Sequence, residues 1–79
     1  MKFYFVVEEN ISGISGIHGQ KYIYKDNARY EYGFFLMERG YSDRLKAKEE
    51  LLLQQGRYKR TRTNPNINPL SFYIEERDI

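Results

Sequence analysis

Cysteine and tryptophan are absent from this chain, histidine occurs once and proline twice. Without cysteine there is no disulfide framework, no thiolate nucleophile and no zinc-thiolate centre, a composition that suits a reducing compartment. The one histidine, His18, lies near Ser12 and Ser15, but no pattern ties it to an acid that would orient an imidazole for general-base work. It reads as a solvated loop residue. No run approaches the about 18 apolar residues of a membrane helix, and the apolar start Phe3-Tyr4-Phe5-Val6-Val7 gives way to Glu8 and Glu9 too soon for a signal-peptide core. Charge of one sign is missing too, since 13 Lys and Arg stand against 11 Asp and Glu for a net charge of +2. These absences lead us to expect a soluble, cytoplasmic protein with no leader, no enzymatic centre, no metal and no cofactor.

What the chain does have is aromatic side chains, eight tyrosines and five phenylalanines. Tyrosine faces water while offering a large apolar ring, so this load favours a binding surface. The 79 residues fit one domain, 1–79. A chain of this size buries only ~60% of the surface its unfolded form exposes, so association with a partner or with itself strengthens a thin margin.

Residues 2–9 alternate Phe3, Phe5 and Val7 with Tyr4, Val6 and Glu8, the period of a strand with one strongly buried face. A perfect three-residue repeat follows, Ile11-Ser12-Gly13, Ile14-Ser15-Gly16, Ile17-His18-Gly19, which reads as a loop. Residues 20–25 alternate Lys21, Ile23 and Lys25 with Tyr22 and Tyr24. The polar stretch Lys25-Asp26-Asn27-Ala28-Arg29 then leads into Tyr30, Tyr32, Phe34 and Leu36 alternating with Glu31, Gly33, Phe35 and Met37, a hairpin pattern. Over 27–39 a helix competes, because Asn27 is a capping residue and Tyr30, Phe34, Met37 and Tyr41 fall at helical steps. Aromatic density and Gly33, which weakens a helix interior by ~1 kcal/mol, favour the strand.

Ser42 or Asp43 caps the clearest helix, 43–55, with Gly56 placed to end it. In projection Leu45 and Leu52 fall with Tyr41, Ala47 and Leu51 take an adjacent flank, and Arg44, Lys48 and Gln55 run between. Residues 57–63 are polar, 64–69 are turn-rich, and Leu70, Phe72 and Ile74 alternate with Ser71, Tyr73 and Glu75 in a last strand. The expected fold is α+β: an antiparallel sheet of four to five strands with one helix on one face, in the order β-β-β-α-β, with 57–63 as the candidate extra strand. The second face of the sheet is left partly open.

The glycine repeat lacks the Gly-Lys-Ser/Thr of a phosphate loop and the Gly-x-Gly-x-x-Gly of a dinucleotide site, so a connector is the simpler reading. The acidic pairs Glu8-Glu9, Glu49-Glu50 and Glu75-Glu76 read as solvated surface. Two features point to binding. One is the basic tract Arg57, Tyr58, Lys59, Arg60, Arg62, with Arg44 and Lys48 as a further basic face; from Arg39 to Arg62 eight cations stand against three acids. Its blander reading is a charged strand edge that discourages aggregation. The other is the hairpin, whose Tyr22, Tyr24, Tyr30 and Tyr32, ringed by Lys21, Lys25 and Arg29, would form a four-ring platform for a protein hot spot or for stacked bases.

A strand from Lys2, one helix over 43–55, a strand over 70–76 and no catalytic groups resemble the small accessory proteins of phages and mobile elements, including anti-CRISPR proteins. The resemblance lies in size and style across the chain. It carries no residue motif and so transfers no site residue, and the basic balance departs from the acidic, DNA-mimicking members. It implies a small non-catalytic binding protein that occupies a surface of a larger protein or nucleoprotein, as a phage-type inhibitor of a host defence complex does. The alternative is a small nucleic-acid-binding protein using the tract 57–62 and the tyrosines. No membrane partner is expected, and a homodimer is compatible with either reading.

Overall fold

The computed structural model describes residues 1–10, 21–61 and 70–79. The first strand, β1 (Lys2–Asn10), is central, and both of its faces are buried. Phe3, Phe5 and Val7 point to one side, Val6 and Glu8 to the other. Phe5, Val6, Val7 and Ile23 are wholly enclosed, each worth about 1.5–3 kcal/mol of burial. The strand β2 (Lys21–Lys25) pairs antiparallel with the second half of β1, and β3 (Ala28–Glu31) pairs antiparallel with β2. The last strand, β4 (Leu70–Asp78), pairs antiparallel with the whole length of β1. The sheet order is β3-β2-β1-β4, with one helix, so the chain has the expected α+β class and order.

The β2–β3 hairpin closes on a two-residue turn, Asp26 (φ 49°) and Asn27 (φ 66°). Positive φ at both positions matches the twist of paired strands, and Asp and Asn tolerate it better than most residues. The third strand is shorter than the alternation suggests. It ends at Glu31, and at Gly33 (φ +105°) the backbone turns in a way a side chain resists. Residues 34–36 are irregular and a single 3-10 turn follows, Met37–Arg39. The chain then returns to the sheet, where Tyr41 exchanges backbone hydrogen bonds with Tyr4 (2.8 and 2.9 Å) on the half of β1 that β2 does not reach.

The helix, α1 (Arg44–Thr61), is capped by Asp43, whose carboxylate accepts the Leu45 N–H at 2.9 Å. It does not stop at Gly56. Glycine costs ~1 kcal/mol in a helix interior, and the good helix formers on either side, together with the anchoring of Gln54 and Arg57 to the hairpin turn, carry the helix past it. Residues 57–61 are therefore helical and not an extra strand, and 62–63 lie outside the described residues. The buried stripe is also not the expected one. Ala47, Glu50 and Gln54 face inward, with Leu51 half-buried, while Leu45 and Leu52 are 70% and 57% exposed.

The helix packs on the Val6 face, where Ala47 and Leu51 meet Val6, Tyr41, Tyr4, Tyr24 and Ile74. The opposite face, with Phe3, Phe5, Val7 and Ile23, is covered by Tyr30, Tyr32, Phe35 and Tyr73, so it is not left open. Phe35 meets Phe5 and Tyr32 edge-on, each at 5.0 Å between ring centres.

Candidate partner-binding surfaces

Strand register decides where the hairpin tyrosines go. Tyr24 lies opposite Val6 and Tyr22 opposite Glu8, so both share the helix side, whereas Tyr30 lies opposite Ile23 on the other side and Tyr32 packs there too. The four rings do not form one platform. The sequence alternation placed each pair correctly within its own segment; the two-residue turn fixed the pairs on opposite faces.

On the helix side, Tyr22 carries the Arg29 guanidinium over its ring at 4.4 Å, and Tyr24 tilts against Phe72 at 6.0 Å. Beneath them lies the buried Glu8. Burial raises its carboxyl pKa above the usual range, while the hydrogen bond from Tyr24 and the charge of Arg29 pull it back. Burial first, and then Glu8, raise the Tyr24 phenol in turn. Glu8 was expected to be solvated, and its position in the alternation, in step with Tyr4 and Val6, is the signal that it faces inward.

A second polar cluster ties the hairpin turn to α1. The Asn27 N–H is shared between both Glu50 carboxylate oxygens at 3.2 Å. Gln54 donates to Glu50 at 2.6 Å and to the Asn27 side-chain oxygen at 3.0 Å, and Arg57 also donates to that oxygen. The Tyr41 hydroxyl accepts the Asp26 N–H at 2.9 Å. Burial, then the neighbouring Glu50 and Asp26 charges, push its pKa up to about 12, so it stays a neutral donor. Lys25 sits over the Tyr41 ring at 4.2 Å and donates to the Gly40 carbonyl. The buried Glu50 carboxylate in this cluster is hydrogen-bonded and holds two elements together, a structural use of a polar group.

The opposite face is sealed by cations on rings. Lys21 lies over Tyr32 at 4.8 Å, Arg39 over Tyr30 at 4.8 Å and Phe34 at 5.8 Å, and Arg77 over Phe35 at 3.7 Å. Glu75 locks the layer, accepting from the Tyr32 hydroxyl at 2.8 Å and from Arg77 Nε at 2.6 Å. Outside this layer, Phe34, Leu36 and Met37 are 56%, 45% and 52% exposed beside Arg39. The sequence showed these apolar residues but read them as strand, which hid the patch.

Of the basic tract, Arg57 reaches the hairpin turn, and Tyr58, Lys59 and Arg60 occupy the last turns of α1. Arg62 and the Ile-Ser-Gly repeat with His18 lie outside the described residues. Arg44 and Lys48 flank a groove of about 660 Å³ beside Phe72 and Ile74, and among the described residues no carboxylate pairs with either cation. Among the described residues no cluster of three or more His, Asp or Glu could hold a metal ion, and no helix is long and apolar enough to cross a membrane. No family model matches the chain, and no curated protein or solved structure matches it.

Proposed function

We propose that this chain is a non-catalytic binding protein that acts by occupying a surface of a larger protein or nucleoprotein, in the manner of a phage-type inhibitor of a host defence complex. The observation that carries the reading is the Phe34, Leu36 and Met37 patch, with Arg39 lying over Phe34 and Tyr30 at its edge. Large apolar side chains next to an arginine are the chemistry of interface hot spots, and three of them exposed within residues 34–37 are otherwise a liability. Phe34→Ser and Met37→Ser should abolish capture of the partner and inhibition of its activity while thermal stability holds. Capture unchanged in a folded double variant refutes the reading.

The helical course of 57–61 favours a second reading. Arg44, Lys48 and Lys59, at steps of four and eleven, occupy positions along one side of α1, a spacing suited to a nucleic-acid backbone. Binding to labelled single- and double-stranded DNA and RNA at two salt concentrations separates the two. Binding that falls with salt at a slope near −0.9 per contacted phosphate on duplex DNA favours this second reading.

A further inference from the structure

The outer edge of β4 is nine residues long, and among the described residues no strand pairs with it. Long open edges template pairing with another chain, and this one runs beside the groove flanked by Arg44 and Lys48. We propose that a second copy of this chain docks here, β4 pairing antiparallel with its counterpart about Ile74 to give one continuous eight-stranded sheet with both helices on the same side.

The register follows from charge. Pairing about Ile74 sets Ile74 against Ile74, Phe72 against the partner's Glu76, and Tyr73 against the partner's Glu75. Phe72, Ile74 and Glu76 share the helix side of β4. The partner's Glu76 thus arrives beside Phe72, in the groove where Arg44 and Lys48 have no acidic partner among the described residues, and symmetry repeats the contact on the other half. Glu76 is 51% exposed, and among the described residues its one ion pair, to Lys2, is a long 3.6 Å. Pairing about Glu75 or Glu76 instead stacks like carboxylates face to face, which opposes those registers. Exposed Leu45, which also lines the groove, loses water in the same step. The Phe34 patch lies on the opposite face, so this inference does not rest on the proposed function.

The test is sedimentation velocity on the full chain from about 1 µM to about 500 µM, where a dimer reveals itself by a mass that rises with concentration. Glu76→Lys should weaken the dimer about tenfold or more, because symmetry makes each substitution count twice. Arg44→Glu with Lys48→Glu should do the same, and all three changes in one chain should restore the dimer to within about threefold of the original. Glu76, Arg44 and Lys48 are all exposed, so circular dichroism should show the fold intact. A monomer throughout the range overturns the proposal. So does a dimer indifferent to Glu76→Lys, or one that the charge swap fails to rescue.

Discussion

Among the described glycines, Gly40 is the one whose Cβ would be crowded, so a methyl group there should do clear harm. A Cβ built there lies 2.9 Å from two carbons of the Phe5 ring and 3.2 Å from a third, against 3.5–4.0 Å for ordinary carbon contacts, about 0.6 Å or more too close. Phe5 cannot retreat, since it is wholly buried and held edge-on by Phe35 at 5.0 Å. Gly40 cannot retreat either, because Tyr41 next to it is tied to Tyr4 by two backbone hydrogen bonds. Its φ of −121° is open to any residue, so the whole penalty is steric. Overpacking of this kind costs about 1–3 kcal/mol, which for a chain of this size lowers Tm by roughly 4–8 °C per kcal/mol. Gly56→Ala is the matched control. Nothing lies within 4 Å of its Cβ and it sits inside α1, so alanine should add about 0.5–1 kcal/mol. Thermal melts followed by circular dichroism read both. A Gly40→Ala variant as stable as the parent would refute the packing of 40–41 onto Phe5.

The turn at Asn27 and the buried Glu8 give two more expectations. Asn27→Gly keeps the positive φ and loses only the acceptor for Gln54 and Arg57, so urea unfolding should show a smaller loss than for Asn27→Ala, which adds backbone strain; equal losses would mean the backbone conformation does not matter. Burial raises the folded pKa of Glu8 above 4.5, so the folded state holds the proton more tightly, and Glu8 erodes stability as pH rises through that window and up to the folded pKa. Glu8→Gln should therefore be more stable than the parent at pH 7, with the difference shrinking at pH 4. A variant less stable at pH 7 would show that the Tyr24 hydrogen bond and Arg29 outweigh burial.

The sheet was legible because strand alternation is local. Phe3, Phe5 and Val7 set one face of β1 and Ile23 falls in step with them through the hairpin, while Ile74 falls in step with Val6 on the helix side. The class and order of elements followed directly. What was not legible depends on contacts between distant segments. Gly56 reads as a stop because its local cost is real, but the anchoring of Gln54 and Arg57 to Asn27 outweighs it, and no single window contains both. The buried face of α1 was misread for the same reason. Leucines at 45 and 52 look like core, yet the sheet presents a polar hairpin turn that takes Glu50 and Gln54 instead. The Phe34 patch was hidden by reading 30–37 as a strand, when β3 ends at Glu31 and the chain turns at Gly33.

Where the cations sit bears on which partner the chain can take. Arg29, Arg39, Lys21 and Lys25 each lie over a tyrosine ring, on Tyr22, Tyr30, Tyr32 and Tyr41, and Tyr24 rests against Phe72. Stacking a base on any of these rings must first displace a neighbour worth about 0.5–1 kcal/mol at an exposed site. The second reading above, if it holds, would therefore rest on phosphate contacts along α1 more than on these rings, indifferent to sequence and steep in salt. Among the described residues Leu36 and Met37 carry no cation, and Arg39 meets the Phe34 ring only at 5.8 Å. An apolar pocket on a protein gains the burial of the surface they still expose. That asymmetry favours a protein surface over a nucleic acid as the primary partner. It also gives the β4 dimer a consequence, since two copies joined edge to edge display two such patches on one side of a single sheet, where a two-fold partner would engage both at once.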